Sequence, residues 1–397
     1  MKTNRTAAEF LYTGLDPEPV RNGYVEYGDD GTIVSAGICD DIAAEPDYRK
    51  GAIVPGFVNS HCHLELSHLK GKFRKKTGMS GFIDQINELR DSTSAENRKA
   101  EASKWLDILW KQGVSAMADI SNCDDTFLVK AASPLYTRTF LEVFGTEPED
   151  CQAVIDGVRK LASEAAQAGI DAAPTPHACY TMSPELVTAA SAEGLAAGFL
   201  SYHSEESREE EDLMIYGTGA LADNYKGRRL STPPVTGKPS LCYFTDRLLQ
   251  VHEPPFDEHI LLVHNVCLTQ EALDYASQYL KNVWWAVCPL SNIFIHDALP
   301  PVDLMRRNHL RITVGTDSLS SNDTLDMTAE MYCLQEAFKN VPFGEILGWA
   351  TYNGASFLSK TDLLGSISEG KKPGIVWIRN ISQDGRLTKE SVSERII

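Results

Sequence analysis

Two histidines stand one residue apart in the stretch PGFVNSHCHLEL, residues 55–66, directly after a short apolar run. Alternate residues of a β-strand point to the same face, so a strand here would place the imidazoles of His61 and His63 side by side. Paired imidazoles at a strand end are suited to binding a metal ion. A His-x-His pair also occurs without a metal, so the remaining ligands must come from elsewhere in the chain.

More residues of the same chemical type follow apolar runs further along the chain. His177 follows the fourth run, His203 the fifth, His264 the sixth and Asp317 the eighth. Three imidazoles and one carboxylate would make an N3O ligand set for a divalent metal, with room needed for one water. The pattern therefore predicts a metal site at the ends of these runs.

The runs themselves predict the element type. Eight short apolar segments, from GFVNSHCHLEL to LRITVGTDSLSSN, alternate with longer stretches of helical spacing. Ser183 and Thr269 are candidate N-caps for two of the intervening helices. We predict an α/β fold, a (β/α)8 TIM barrel, because barrel active sites lie at the C-terminal ends of the strands, where the polar residues fall. A doubly wound sheet is the alternative.

Both ends of the chain differ from this middle part. Residues 1–54 and 361–397 show short strands and turn signals, and they predict a small β-sandwich domain beside a barrel of residues 55–360. The connection 207–250 is long and rich in Gly and Pro. We expect it to be an irregular lid or partly disordered, to shape substrate choice, and to expose its charge run REEED to solvent.

Composition limits the functional classes. The 397 residues carry a net charge of -18, which argues against nucleic-acid and anionic-membrane partners. No run of 18 or more apolar residues and no signal-peptide pattern is present, and nine scattered cysteines without CxxC pairs fit reduced thiols, so we expect a cytoplasmic protein. Whether it forms a homo-oligomer is left open.

Several motifs together resemble one known family. PGFVNSHCHLELS, PHACYTMSPE, YHSEES, VHNVCLT, CPLSN, GTDSLSSN and LGSISEGKKPG occur in this order over nearly the whole chain. The combination resembles the amidohydrolase superfamily, in its cytosine-deaminase-like branch of mononuclear aminohydrolases. HCHLELSHLKG with GTDSLSSN is most similar to aminodeoxyfutalosine-deaminase-type members.

The resemblance implies a role for each matching residue. It makes His61, His63, His203 and Asp317 the metal ligands. The family's catalytic glutamate matches Glu206, with Glu205 and Glu209 as rival acids, and Asp317 is catalytic as well. A histidine that touches the activated water matches His264, and a substrate-orienting histidine matches His177. Glu65, Asn292 and Ser318 are further candidate substrate contacts. No lysine lies in IDAAPTPHACY, so one metal is expected.

The predicted function is a metal-dependent hydrolase. A single divalent ion, Zn²⁺ first and Fe²⁺ second, would lower the pKa of its water to about 7. The substrate class expected from the resemblance is a purine-like or other N-heterocycle, or a nucleoside, that is hydrolytically deaminated. Hydrolysis of another C–N bond or of a C–halide bond is an alternative. A non-catalytic metal-dependent binding protein is a second alternative, which would need neither Glu206 nor His264.

Overall fold

The computed structural model describes residues 3–397, and these residues contain fourteen β-strands. In chain order the strands are β1 Thr3–Leu11, β2 Val20–Gly28, β3 Ile33–Ile38, β4 Tyr48–Pro55, β5 Phe57–Cys62, β6 Val114–Ser121, β7 Tyr136–Val143, β8 Asp171–Pro176, β9 Phe199–Ser204, β10 His259–His264, β11 Val283–Val287, β12 Arg311–Val314, β13 Ile375–Arg379 and β14 Val392–Arg395.

The same residues contain fourteen α-helices. The helices are α1 Gly78–Leu89, α2 Ala95–Lys111, α3 Phe127–Ala131, α4 Cys151–Gln167, α5 Pro184–Ala196, α6 Arg208–Tyr216, α7 Ala220–Arg228, α8 Ser240–Leu248, α9 Gln270–Ala276, α10 Pro289–His296, α11 Val302–Arg307, α12 Met327–Ala337, α13 Phe343–Gly348 and α14 Gly354–Phe357. Short 3-10 turns cover Ile42–Ala44, Leu64–Leu69, Pro148–Asp150 and Cys179–Thr181, and a π-helix covers Trp349–Asn353.

The eight predicted apolar runs supply the strands β5 to β12. They form two parallel four-stranded sheets, in the orders β5-β6-β7-β8 and β9-β10-β11-β12. Isolated parallel bridges join the sheets, from Cys62 to Asp317 and from Ala178 to His203. The predicted parallel α/β architecture is confirmed. A barrel closed by continuous hydrogen bonding is not found among residues 3–397.

The first and last strands of this layer meet through buried polar groups. The carbonyl oxygen of His61 accepts hydrogen bonds from the backbone N–H groups of Thr316 and Asp317, each at 3.0 Å. The side chain of Asn59 accepts from Thr316 N at 3.1 Å and donates to Thr316 Oγ1 at 2.8 Å. Since buried polar groups need partners, these bonds fix the end of β5 against the segment that follows β12.

An apolar cluster fills the space between the two parallel sheets. It includes Val58, Ile120, Phe140, Val263 and Trp284, all buried. Residues of β5 and β6 are buried on both faces because the helices cover the outside. This explains why the sequence shows continuous apolar runs instead of an alternating pattern.

Strands from both ends of the chain form one further sheet, in the order β14-β13-β4-β1-β2-β3. Strand β4 pairs parallel with β1 and antiparallel with β13, so the tail joins the N-terminal segment as predicted. The described residues form a single six-stranded layer here. The predicted sandwich of two packed sheets is not confirmed.

The predicted helix starts are present. Ser183 Oγ accepts from Leu186 N at 3.3 Å, and Thr269 Oγ1 accepts from Ala272 N at 3.2 Å. Helix α9 ends at Ala276, although the apolar spacing continues to residue 282. Leu280 is buried, and its backbone forms a β-bridge with Phe256. An α-helix would not permit this bridge, which explains why the helix ends earlier.

The expectation that residues 207–250 are irregular or partly disordered was wrong. This segment contains the three helices α6, α7 and α8 instead of an irregular lid. The charge run is also not a solvated face. Glu210 and Glu211 are buried, and Glu209 accepts hydrogen bonds from backbone N–H groups of another helix. Buried carboxylates persist when donors surround them, and that information is not present in the local sequence.

Two further expectations concern the whole chain. None of the helices within residues 3–397 has both the length and the apolar character required to cross a membrane. All nine cysteines are free thiols.

One buried ion pair supports the turn that follows the histidine pair. Lys130 Nζ donates to Asp119 Oδ2 at 2.8 Å and to Thr139 Oγ1 at 2.8 Å. The other oxygen of Asp119 accepts from Leu64 N at 2.9 Å, one residue after His63. The side chains of Lys130 and Asp119 are fully buried, so neither charge has water as a substitute partner.

We predict that Lys130→Met lowers the free energy of unfolding by about 3 kcal/mol, because it leaves the charge of Asp119 buried and unpaired. Guanidinium denaturation measures this change. Lys111→Met is the control, since Lys111 and its partner Asp107 are largely exposed and should contribute little. Equal losses in the two variants would contradict the structural role of the buried pair.

Candidate active site

The two histidines of the opening motif lie at the C-terminal end of β5. They point to one face as the spacing predicts, and their Nε2 atoms are 3.2 Å apart. Two imidazole nitrogens bound to one tetrahedral metal at 2.0–2.1 Å would be about 3.3 Å apart. The pair therefore has the separation of two ligands of a single ion.

His203 and His264 lie at the ends of the neighbouring strands β9 and β10. The ring centroid of His61 is 4.8 Å from that of His203 and 5.7 Å from that of His264. The parallel pairing of β9 with β10 puts Val263 opposite His203, so both strands deliver their histidines at the same edge. The sheet thus gathers histidines that are far apart in sequence.

Asp317 closes this cluster from the segment after β12. Its Oδ1 atom is 3.5 Å from His63 Nε2 and 3.7 Å from His61 Nε2. Its Oδ2 atom accepts hydrogen bonds from Ser291 Oγ at 2.6 Å and Ser321 Oγ at 2.8 Å. The serines therefore orient the carboxylate so that one oxygen faces the histidines.

Four residues at these strand ends have left-handed backbones. They are Glu205 with φ 47°, His264 with φ 73°, Asn265 with φ 55° and Asp317 with φ 56°. Non-glycine residues adopt this conformation at a cost, and they do so most often where a site requires a particular side-chain direction. Of these four, His264 and Asp317 line the cavity described below.

Burial sets the charges of the cluster. It lowers the pKa of His61 and His203 well below the usual value and that of His264 to about 4, so these imidazoles are neutral at pH 7. Burial alone would raise the pKa of Asp317. The nearby His63, His264 and His61 outweigh it and hold that pKa below its usual range. Neutral imidazoles beside one carboxylate are the protonation states that a metal requires.

The donor set fits a divalent metal. Nitrogen and oxygen atoms of His61, His63 and Asp317 lie within 4.8 Å of one another, and so do those of His61, His203 and His264. The buried atoms His61 Nδ1 and His264 Nε2 have no hydrogen-bond partner. An unpartnered imidazole nitrogen among other donors is suited to a metal or to a bound water.

Glu206 lies next to this cluster. Its Oε1 atom is 3.5 Å from His264 Nε2, and its Oε2 atom accepts from Tyr180 Oη at 2.9 Å. Burial, and then the charge of Asp317, raise the pKa of Glu206 well above the usual value. A raised pKa favours the protonated form of Glu206, which suits this residue to donate a proton to a group bound beside the cluster.

A cavity of about 370 Å³ opens above these residues. Its floor is polar and includes His63, His203, Glu206, His264 and Asp317. One side is apolar and is formed mostly by helix α1. The apolar side chains that line it are Leu66, Met79, Phe82, Ile83, Ile86 and Phe144. A ligand that fills the cavity would meet hydrogen-bonding groups at one end and hydrocarbon at the other.

The other candidate residues are divided between the cavity wall and the layer behind it. His177 and Ser318 line the cavity. Glu65 lies behind the wall, where it accepts from Arg90 Nη2 at 3.1 Å and from Asn122 N at 2.9 Å. Asn292 also lies behind the wall, 3.0 Å from His264 Nδ1. Glu65 and Asn292 therefore orient neighbours of the cavity.

The rival acids have other positions. Glu205 is buried, has no hydrogen-bond partner for either carboxylate oxygen, and does not line the cavity. Glu209 contacts the backbone of Met79 and Ser80. Of the three candidates only Glu206 faces the cavity.

Sequence reasoning missed several residues of the cavity. Tyr180 lies in the motif PHACYTMSPE, and its hydroxyl reaches Glu206. Glu142 is the polar residue near the end of the third apolar run, and its Oε1 atom is 3.3 Å from His203 Nδ1. The position of Glu142 at a strand end was a usable signal. The apolar wall on α1 gave none, because apolar residues at helical spacing predict ordinary core packing.

In a comparison with known sequence families, the family described as the amidohydrolase family matches residues 52–389 of the chain. The chain belongs to the amidohydrolase family. The predicted family membership is therefore confirmed, and the cluster at the strand ends lies inside the matched region.

Several proteins are similar to this amidohydrolase over most of its length. A 5-methylthioadenosine/S-adenosylhomocysteine deaminase of Syntrophomonas wolfei is 27% identical over 351 residues, which cover 85% of this chain and 75% of the relative. The crystal structure of Helicobacter pylori aminofutalosine deaminase in complex with methylthio-coformycin has a TM-score of 0.77 at 23% identity, and the match covers 98% of this chain and 94% of that one. An adenosine deaminase from Xanthomonas campestris with bound zinc has a TM-score of 0.70 at 19% identity, covering 94% and 84%.

Glu210 binds the backbone of Glu206. Its Oε2 atom accepts from Glu206 N at 2.7 Å, and its Oε1 atom accepts from Cys179 Sγ at 3.2 Å. Burial, and then the neighbouring Glu211, raise the pKa of Glu210 to about 7. The folded protein therefore holds a proton here that the unfolded chain loses near pH 4.5.

We predict that Glu210→Gln becomes more stable relative to the wild type as the pH rises from 5 to 8. The raised pKa gives the wild type a contribution to stability that is present below about pH 4.5 and lost as the pH rises through about 7. Glutamine does not ionise and keeps an acceptor for Glu206 N. The difference in Tm should shift by about 2 °C or more in scans at pH 5 and 8. A pH-independent difference would show that Glu210 is ionised throughout.

Proposed function

We propose that the chain is a metal-dependent hydrolytic deaminase of a nucleoside-like substrate. The observation that carries this proposal is a buried carboxyl group, Glu206, that lies beside a cluster of imidazoles and one carboxylate at the floor of the cavity. The names of the relatives support it, since those reported above act as deaminases of adenosine-type compounds.

The residues that would hold the metal are His61, His63, His203 and Asp317. Nitrogen ligands with one carboxylate favour Zn²⁺, and Fe²⁺ is the second choice. The zinc in the Xanthomonas campestris structure supports the same choice. When bound, such an ion lowers the pKa of a coordinated water to about 7 and so provides a nucleophile at neutral pH.

The protein groups around this position handle the protons. Asp317 Oδ1 accepts a proton, since the low pKa keeps this carboxylate ionised. Glu206 donates its proton to the ring nitrogen of the substrate, and the proton that Asp317 takes from the attacking water passes to the departing amino group, which leaves as ammonia. The second proton of the water restores Glu206. The hydroxyl of Tyr180 holds Glu206 in place, and the Nε2 atom of His264 is free to contact the reacting centre.

The shape of the cavity suggests how a nucleoside would lie. The heterocycle would occupy the polar floor, with His177 and Ser318 beside it. The far side of the substrate would contact the apolar wall of α1, which presents Phe82, Ile83 and Ile86. These side chains favour an apolar substituent on the part of the substrate that meets them, and Asn87 and Arg90 line the same cavity.

The test is ammonia release by the metal-loaded protein from adenine, guanine, cytosine and pterin compounds and from adenine nucleosides, including 5′-methylthioadenosine and aminodeoxyfutalosine. We expect release from an adenine nucleoside that stops after chelation and returns with Zn²⁺. Metal bound stoichiometrically without release from any compound would reject deamination. It would favour hydrolysis of another C–N or C–halide bond, or a binding protein.

We predict that Glu206→Gln retains the metal and loses about 10²- to 10⁴-fold in kcat, because the amide cannot transfer a proton. Metal content measured by elemental analysis and turnover by ammonia release separate the two effects. Ser318→Ala is the comparison, since this hydroxyl lines the cavity but does not ionise near neutral pH, and its loss should affect KM more. Activity of Glu206→Gln close to the wild type would reject the role of this acid.

A further inference from the structure

Helix α1, which forms the apolar wall, begins without a cap of its own. The preceding residue, Thr77, makes no side-chain capping bond. The free N–H groups of Met79 and Ser80 instead donate to the carboxylate of Glu209, to Oε1 at 3.0 Å and to Oε2 at 2.9 Å. A carboxylate at this position also interacts favourably with the positive end of the helix dipole.

The contact is close because residue 78 is a glycine. Gly78 has φ +69°, and a Cβ atom there would lie 2.0 Å from Glu209 Oε1. Any other residue would force the carboxylate away from the two N–H groups. The absence of a side chain at Gly78 therefore leaves the space that the carboxylate of Glu209 occupies.

Glu209 lies three residues after the proposed acid on the same short stretch. Ser207 Oγ accepts from Glu210 N at 3.1 Å and starts helix α6, and Glu210 binds back to Glu206 N. The chain between Glu206 and Glu209 is thus fixed by its own hydrogen bonds. This stretch therefore contains the proposed acid, Glu206, and also Glu209, which binds the start of the apolar wall.

We propose that Glu209 is a positioning residue that sets the distance between the apolar wall of α1 and the polar floor. This proposal rests on the proposed deaminase function for the identity of the substrate. Glu209 does not touch the cavity, so its effect passes through Met79, Phe82, Ile83 and Ile86. A second polar contact runs from Asn224 to Ser80 Oγ at 3.1 Å and to Asp84 Oδ1 at 2.8 Å, while the backbone N–H groups of Met79 and Ser80 are bound by Glu209.

The charge run supplies a matched control. Glu211 binds the start of another helix, α8, by accepting from Ser240 N at 3.2 Å and Ser240 Oγ at 2.6 Å. No residue of α8 lines the cavity. Glu209→Ala and Glu211→Ala therefore each remove a long-range carboxylate cap, and only the first should affect the wall.

The kinetic experiment compares 5′-methylthioadenosine with adenosine, which lacks the apolar substituent. For Glu209→Ala we expect KM for 5′-methylthioadenosine to rise about five- to tenfold while kcat stays within about twofold, because the loss of a cap loosens the first turns of the wall. KM for adenosine should change less. Glu211→Ala should leave the ratio of the two KM values near the wild-type ratio, because any effect that passes through Glu210 and Glu206 is common to both substrates.

Hydrogen exchange of the metal-loaded proteins tests the same contact without turnover. Amides at the start of α1 should exchange about tenfold faster in Glu209→Ala and unchanged in Glu211→Ala. If the wild type deaminates neither nucleoside, the proposed function fails, and the exchange result alone decides the role of Glu209. If Glu209→Ala does not fold, Glu209→Gln, which retains one acceptor oxygen, should show a smaller shift in the same direction.

Two results would overturn the proposal. One is unchanged exchange at α1 in both the Ala and Gln variants. The other is a loss in kcat with unchanged KM, which would indicate that Glu209 acts through Glu206 and not through the wall.

Discussion

The site depends on the hydrogen bonds that join the first and last strands of the parallel layer. The carbonyl oxygen of His61 receives the N–H groups of Thr316 and Asp317, and this contact brings the His61–His63 pair to the carboxylate of Asp317. The bridge between Cys62 and Asp317 lies at the same place. Without this junction His61 and His63 on one four-stranded sheet would be separated from His203, His264 and Asp317 on the other.

Burial then determines what the gathered groups can do. In a dry cluster the imidazoles stay neutral, because a charged ring there would lack solvation. The same burial raises the pKa of Glu206, whereas the surrounding histidines lower the pKa of Asp317. The pKa values of two carboxyl groups within one cavity thus move in opposite directions, and such a division is suited to acid–base chemistry.

The sequence predicts the feature that recurs along the chain, which is a histidine or aspartate at the end of an apolar run. His61, His203, His264 and Asp317 each follow an apolar run, and parallel strands bring such positions to one edge. Features that depend on distant partners were not predictable. The local sequence of the run REEED predicts an exposed, solvated segment. Its carboxylates instead accept hydrogen bonds from residues 79, 80, 206 and 240. The apolar wall on α1 and the single terminal sheet likewise depend on what packs against them.

The side chain of Asn59 bonds to Thr316 across 257 residues of sequence. During translation, the histidine pair is synthesised long before residues 316 and 317, which complete the junction. During synthesis His61 and His63 therefore remain without their carboxylate neighbour until the chain is almost finished, and the closing step carries the loop entropy of most of the protein. A chain that ends before residue 316 lacks both Thr316 and Asp317, so it cannot form this junction.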